Sequence, residues 1–285
     1  MEQNRTIIGV DLGGTNMRAG LVVGDQLRDV SQCLVPKTMD ADVVTQALID
    51  TINNIITPEV EGIGIGVPGL VKASTGVVYD LQNIPSWKKI PLKKILEKEF
   101  DRPVYINNDA NCFAVGERVY GAGRDYDDFV GLITGTGLGA GIIKNGHLLP
   151  DQNCGAGEFG MIPYRDHHYE YYCSGQYFES VHGISGAELA QRASTGDAKA
   201  LAIFAEYGKQ LGNAIKTILF SVDPNAVVLG GSVVRSYPYY KEAMWREIAT
   251  FPYQFVLENF VIVPSVVKEI AILGAAALYI DAAAD

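Results

Sequence analysis

The sequence predicts an α/β protein made of two related halves. A β-branched run at residues 6–10 ends at Asp11 and a glycine pair, as a buried strand entering a tight turn does. A second apolar run, Phe129–Thr134, ends in another glycine-rich turn, Gly135-Thr136-Gly137-Leu138-Gly139. Elsewhere strand-like runs alternate with segments of helical apolar spacing, the order that gives sheets covered by helices.

In the first half, residues 17–23 and 28–36 read as two strands turning at Gly24-Asp25. Residues 41–56 carry Val44, Leu48, Ile52, Ile55 and Ile56 at helical spacing, with Pro58 as a stop. Gly62–Val67 is a short strand ending at Pro68-Gly69, and Leu92–Phe100 a charged amphipathic helix. Residues 103–106 form a strand delivering Asn107-Asn108-Asp109, and 111–120 a helix that Asp109 could cap. In the second half, residues 140–143, 226–229 and 260–263 read as strands. Gly186–Ser194, Ala198–Val222 and the small-residue segment 271–280 read as helices.

The 285 residues suit two modest domains or one large one. No apolar run reaches the roughly 18–20 residues of a membrane span, and the N-terminus lacks the pattern of a secretion signal, which points to the cytoplasm. The net charge of −10 argues against a nucleic-acid or anionic-membrane surface, since phosphate backbones are bound by clustered Lys and Arg. Cys33, Cys112, Cys154 and Cys173 are scattered and predict idle thiols rather than a disulfide framework.

Three glycine clusters suggest phosphate chemistry. In Asp11-Leu12-Gly13-Gly14-Thr15-Asn16 the glycines let backbone N–H groups approach a phosphate, Thr15 adds a hydroxyl, and Asp11 is placed to hold Mg²⁺ through water. Thr134-Gly135-Thr136-Gly137 is neither a Walker loop, since no GK[ST] follows, nor a dinucleotide fingerprint, since a strand follows it. Gly230-Gly231-Ser232 after the strand AVVLG could let backbone pack on an adenine ring.

With GVPG at 66–69, NNDAN at 107–111, GAGEFG at 155–160 and VVLGGSV at 227–233, these loops resemble the ROK family of bacterial sugar kinases and repressors over about residues 6–280. The resemblance implies an actin-like ATPase (ribonuclease H-like) fold with two α/β domains around a cleft. ATP would lie against the larger domain and a sugar between the two. The implied division is residues 1–115 plus the C-terminal helix 268–285 as a small domain with the first phosphate loop and catalytic aspartate. Residues 116–267 form a large domain with the second phosphate loop, the sugar-binding glutamates and the nucleotide site. Family members are commonly homodimers.

The resemblance also implies roles. Phosphoryl transfer needs positioning, charge neutralisation and one carboxylate to take a proton. Asp109 matches the family's base, and Asn108 would hydrogen-bond the sugar, with Asn107 structural. Glu158 and Glu179 match sugar-binding glutamates, suited to accepting several hydroxyl hydrogen bonds. Asn83 lines the pocket, Trp87 packs, and Gly69 lets backbone approach the sugar.

One feature departs from the family. Most members bind a structural zinc through one histidine and three cysteines, but here the histidine position is Met161 and the cysteine cluster is reduced to Cys173. Zinc selects thiolate and imidazole ligands, so no structural zinc is expected. Adjacent histidines rarely point to one metal, which disfavours an improvised site at His167, His168 and Cys173. Tyr164, Tyr169, Tyr171, Tyr172, Tyr177 and Phe178 could replace the metal with an aromatic cluster. Met161 cannot donate a hydrogen bond, so the pocket differs near the sugar's C1–C2 edge.

The expected activity is ATP-dependent phosphorylation of a hexose, glucose first and N-acetylmannosamine next, ahead of fructose, allose, mannose and N-acetylglucosamine. ROK repressors carry a DNA-binding domain before the first phosphate loop. That loop begins here at Asp11, which with the acidic balance disfavours a repressor. A sugar-sensing or chaperone-like ATPase is disfavoured by the Asn108-Asp109 pair.

Overall fold

The first glycine turn joins two strands of one sheet. In the computed structural model, which describes residues 5–81, 83–150 and 152–283, β1 (Thr6–Leu12) lies between an antiparallel neighbour, β2 (Asn16–Val23), and a parallel one, β4 (Gly62–Val67). β3 (Gln26–Leu34) pairs antiparallel with β2, and β8 (Val104–Asn108) pairs parallel with β4, giving the order β3-β2-β1-β4-β8. Residues 1–4, Gln82 of the 81–87 segment and the last two residues of the expected 268–285 helix lie outside the described residues.

This sheet belongs to a unit comprising Met1–Arg124, His147–Ala156 and Val267–Asp285. One sheet face carries β-branched and aliphatic side chains: Ile8, Val10, Ile63 and Ile65 are buried in a cluster with Val44, Leu48 and Ile52 of α1 (Ala41–Asn53) and with Leu92 and Leu96 of α2 (Leu92–Phe100). A small antiparallel sheet of β5 (Leu70–Lys72), β6 (Val77–Tyr79) and β7 (Lys89–Ile90) fills the stretch before α2 and adds Val71 and Val78 to that core. Trp87 is fully buried there, its indole N–H 3.4 Å from the Ala41 carbonyl, so it packs rather than facing a ligand.

The opposite face is made of glycine. α10 (Ile270–Ala282) lies on it so closely that a Cβ on Gly64 would overlap the Ala275 carbonyl and one on Gly9 the Ile272 carbonyl. α3 (Asp109–Tyr120) packs on α10 in the same manner: a Cβ on Gly116 would stand 2.7 Å from the Gly274 Cα. Consecutive residues Ile272–Leu278 are buried, which explains the all-round apolar, small-residue character of this helix.

The second unit comprises Asp125–Gly146 and Gly157–Val266. Its strands β9 (Phe129–Thr134), β10 (Leu138–Lys144), β14 (Ala226–Gly230) and β15 (Val261–Pro264) run in the order β10-β9-β14-β15. The β10/β9 pair is antiparallel and the other two are parallel, which repeats β2-β1-β4-β8 strand for strand. β11 (His147–Leu148) falls in the first unit's His147–Ala156 segment. In the second unit, short strands β12 (Pro163–Tyr164) and β13 (His167–His168) lead to α4 (Tyr169–Cys173), α5 (Gln176–His182) and α6 (Gly186–Ser194). The 25-residue α7 (Ala198–Val222) is capped by Asp197 and buries Phe204, Tyr207, Leu211 and Ile215. α8 (Tyr237–Ile248) packs on it closely enough that a Cβ on Gly212 would meet the Met244 carbonyl at 2.8 Å, and α9 (Gln254–Glu258) follows. Among the described residues no helix is long and apolar enough to cross a membrane.

Backbone contact this close leaves no room for a side chain. Gly64→Val should therefore lower stability by at least ~2 kcal/mol in urea titration, because the obstacle is the α10 backbone rather than a movable side-chain end. Gly155→Ala, where an added Cβ meets nothing within 4 Å, should stay within about 0.5 kcal/mol of the parent.

Candidate active site

The first unit gathers its polar residues at the carboxyl ends of β1, β4 and β8, the edge where open α/β sheets bind ligands. Register aligns Asp11 with Gly66, and Gly66 with Asn107. Buried Asn107 accepts from the Asn108 N–H at 2.9 Å and from the Asn111 amide at 2.8 Å. This network fixes the bend from strand to helix. α3 begins at Asp109 rather than at residue 111, and its cap is Asn108, whose Oδ1 accepts from the Asn111 N–H at 2.7 Å. Asp109 is thus the first helical residue. An extended Asn108 reaches the orphan N–H groups of the first turn better than a residue already inside it. With its oxygen so used, Asn108 presents its amide NH₂.

The Asp109 carboxylate accepts from the Ala110 N–H at 2.9 Å. The residue is exposed on the surface of its unit, yet protein atoms crowd the carboxyl. The displaced water raises its pKa above 3.8, the Ala110 bond offsets part of this, and the charge of Asp11 adds to the rise. Asp11 is raised too, first by burial, with Arg18 pulling it down and Glu269 pushing it up. Arg18 is itself paired with Glu269 at 2.6 Å, so only part of its charge serves Asp11. Two carboxylates that both resist ionising form a donor set suited to a cation: Mg²⁺ commonly takes one or two carboxylates plus water and phosphate oxygens. Beneath them burial pushes the Cys112 thiol well up, and the cysteines are all free thiols.

The 11–16 turn is closed by the Gly13 N–H donating to the Asn16 carbonyl at 2.9 Å, and the Thr15 carbonyl accepts from the Val35 N–H at 2.8 Å. A Cβ on Gly14 would stand 2.5 Å from the Asn83 Cβ, so the turn and Asn83 sit in direct contact. Both line an open cavity of about 350 Å³ with Pro36, Lys37, Thr38 and Pro85. Gly69 follows β4 at φ +137°.

In the second unit the other two glycine clusters meet. Ile133 of β9 aligns with Gly230 of β14, and the Thr134 hydroxyl donates to the Gly230 carbonyl at 3.3 Å. Gly231, at φ +87°, lies so close to the Thr134 backbone that a Cβ would overlap it. Thr136 and Ser232 are exposed. Glu158 is exposed between Gly157 and Gly160, which seat on the carbonyls of Ala140 and Leu138, and Glu179 is exposed on α5. A larger cavity, about 400 Å³, is lined by Val181, His182, Arg192 and Lys199 and holds none of the residues the sequence singles out.

Sequence reasoning passed over Glu170 and Gln176, both of which bond the 134–138 turn. The Glu170 carboxylate accepts from the Leu138 N–H at 2.9 Å, and the Gln176 amide donates to the Thr136 carbonyl at 2.9 Å.

The sequence pattern of the ROK family matches residues 7–282. The chain belongs to the ROK family. A glucokinase of Thermotoga maritima is 28% identical, over 95% of this chain and 96% of that relative. A xylose repressor of Bacillus subtilis is 26% identical over 96% of this chain and 77% of its own length. An N-acetyl-D-glucosamine kinase of Yersinia pseudotuberculosis is 32% identical over 82% and 86%. The structure of a ROK family glucokinase from Streptomyces griseus, in complex with glucose and AMPPNP, superposes with a TM-score of 0.76 at 26% identity, covering 96% of this chain and 98% of that one. The fold is the actin-like ATPase fold of ROK sugar kinases.

For a ROK protein the segment after Met161 is unusual. No group of three or more His, Cys, Asp or Glu able to hold a metal occurs among the described residues. His168 instead caps α4 through Nδ1, His167 stacks on Tyr171 at 3.9 Å, and Cys173 is fully buried. Tyr164 stacks on Tyr169 at 4.5 Å and meets Tyr172 edge-on at 5.7 Å, and the Arg165 guanidinium lies 5.5 and 5.6 Å from the Tyr164 and Tyr172 rings. Stacking and cation–π contacts thus tie Tyr164, Arg165, Tyr169 and Tyr172 together.

Metal analysis of purified protein should find well under one zinc per chain, and a value near one per chain would overturn the aromatic-staple reading. Asp109→Asn keeps an acceptor for the Ala110 N–H but removes a charge that its crowded setting disfavours. It should melt above the parent at neutral pH. Because the folded pKa is raised, the parent's penalty fades as pH falls through that pKa and is gone below the 3.8 of the unfolded chain, so the gap should close there in calorimetry.

Proposed function

We propose that this ROK protein transfers the terminal phosphate of ATP to a hexose, with glucose as the leading substrate and the sugar 6-hydroxyl as the acceptor. The observation that carries the reading is Asp109. It is a carboxylate at the first residue of α3, oriented by the Ala110 N–H, with the Asn108 amide beside it and Asp11 near enough to raise its pKa.

Asp109 takes the proton from the sugar hydroxyl as its oxygen bonds to the γ-phosphorus and ADP leaves. Asn108 offers its NH₂ to the sugar, and Gly69, Asn83, Glu158 and Glu179 complete the sugar-binding set. The 11–16 turn and the 134–137 loop hold the donor phosphates, and Gly230-Gly231-Ser232 borders the adenine. Asp11 would hold Mg²⁺, partly through water, and the ion when bound neutralises developing phosphate charge. Location in the cytoplasm and a homodimer belong to the same reading and rest on the family resemblance.

Met161 is exposed where most of the family has a histidine, a change that does not choose between glucose and N-acetylmannosamine, the second choice of substrate. A repressor among the relatives leaves a non-catalytic sugar sensor as the other class.

Coupled ADP release with a panel of hexoses and N-acetylhexosamines tests all three. Sugar-dependent release, fastest with glucose, is expected. A faster N-acetylhexosamine would move the substrate, and sugar binding without any release would favour the sensor. Asp109→Asn should lose at least ~100-fold in kcat while still binding sugar. Since the base must be ionised, kcat/KM should fall with decreasing pH along a limb lying above 3.8, in keeping with the raised Asp109 pKa.

A further inference from the structure

The turn between β9 and β10 is held by one short segment, residues 170–176. The Gly175 N–H donates to the Gly135 carbonyl at 2.6 Å and the Gln176 side-chain amide to the Thr136 carbonyl at 2.9 Å. The Glu170 carboxylate accepts from the Leu138 N–H at 2.9 Å. Behind these bonds α4 is anchored on α7: the Tyr169 hydroxyl is 2.8 Å from the Thr217 hydroxyl, and the Tyr207 hydroxyl donates to the Cys173 carbonyl at 2.9 Å.

A trans peptide sets its C=O and N–H in opposite directions. Fixing the Gly135 carbonyl therefore turns the Thr136 N–H away from residues 175–176, and fixing the Thr136 carbonyl does the same to the Gly137 N–H. Neither of those N–H groups has a hydrogen-bond partner among the described residues. Successive N–H groups aimed to one side form an anion nest. Glu170 bonds the third peptide of the turn, and a Cβ on Gly137 would clash with its carboxylate, standing 2.6 Å from Oε2.

We propose that Gln176 and Glu170 are positioning residues of the donor-phosphate loop, holding its peptide planes so that the Thr136 and Gly137 N–H groups face the nucleotide phosphates. This rests on the reading of residues 134–137 as that loop. Without the Gln176 amide the Thr136–Gly137 peptide is free to rotate. With a carboxylate in its place, the peptide is driven to present its N–H to residue 176 instead of to phosphate. Glu170 acts through hydrogen-bond acceptance rather than charge, since a negative charge beside a phosphate loop opposes the ligand.

The experiment measures KM for ATP, KM for the sugar, kcat, and the Kd for ADP by calorimetry without sugar. The variants are Gln176→Glu, Glu170→Ala, Glu170→Gln and Gly137→Ala. Gln176 is exposed, so its substitution leaves the core untouched. Gln176→Glu and Glu170→Ala should weaken ADP and raise KM for ATP about tenfold, with sugar KM within about twofold. Glu170→Gln, which keeps an acceptor, should regain most of that loss. Gly137→Ala, which displaces the carboxylate, should resemble Glu170→Ala. If Gly137→Ala weakens nucleotide while Gln176→Glu and Glu170→Ala leave it within about twofold, the positioning role is wrong and the loop assignment stands. Unchanged nucleotide binding in all four variants would remove the loop assignment and this role with it. A loss in Glu170→Gln equal to that in Glu170→Ala would replace the hydrogen-bond account of Glu170 with an electrostatic one and overturn its part of the proposal.

Discussion

The contact on which the first unit depends is backbone against backbone. α10 lies directly on a glycine floor at Gly9 and Gly64, and α3 lies on α10 through Gly116 and Gly274. Close packing of this kind gains dispersion over many atom pairs and tolerates almost no change of volume. It also has a geometric result. With three backbones locked together, the N-terminus of α3 is fixed relative to the ends of β1 and β4. Asp109 inherits its place beside Asp11 from glycines a helix length away.

The electrostatics follow from that rigidity. In a softer frame two carboxylates would separate. Here the Asn107–Asn108–Asn111 hydrogen bonds hold the bend, and both carboxyls are left with raised pKa values. Perturbed pairs of this sort cluster at functional sites because ligands or ions relieve what the fold leaves uncompensated. At the equivalent turn of the second unit, residues 134–137 carry no charged side chain. There the turn after β9 is bonded by a carboxylate of α4 and an amide of α5, Glu170 to the Leu138 N–H and Gln176 to the Thr136 carbonyl.

Much of this is legible in the residues, and the rest is not for identifiable reasons. The strands ending in DLGGTN and TGTGLG are readable because β-branched runs that stop at paired glycines have few other meanings, and the long periodic α7 matches its expected bounds of Ala198–Val222. The residue pattern starts α3 two residues late because Asp109 and Asn108 are equally good caps by type, and only the extended backbone at Asn108 chooses between them. The sheet of β5, β6 and β7 leaves no trace in the sequence because two- and three-residue strands show no alternation. α4 and α5 hide inside an aromatic-rich run whose side chains pack in several directions at once. With them hide Glu170 and Gln176, whose importance depends on partners more than thirty positions back in the chain. The roles of the sugar-binding glutamates rest on family likeness, since exposed Glu158 and Glu179 carry no local signature beyond their motifs.

α10 also sets a schedule. It comes after every other element in the chain, yet it covers strands formed from residues near the beginning. Until it arrives during synthesis, Gly9 and Gly64 face nothing and α3 has no partner on that side. The second unit, nearly contiguous from Asp125 to Val266, can gather its own contacts earlier. Long-range closure of this kind is slow because a large loop must be ordered before any contact rewards it. The setting of the carboxylate at the head of α3 is thus completed only when α10 docks.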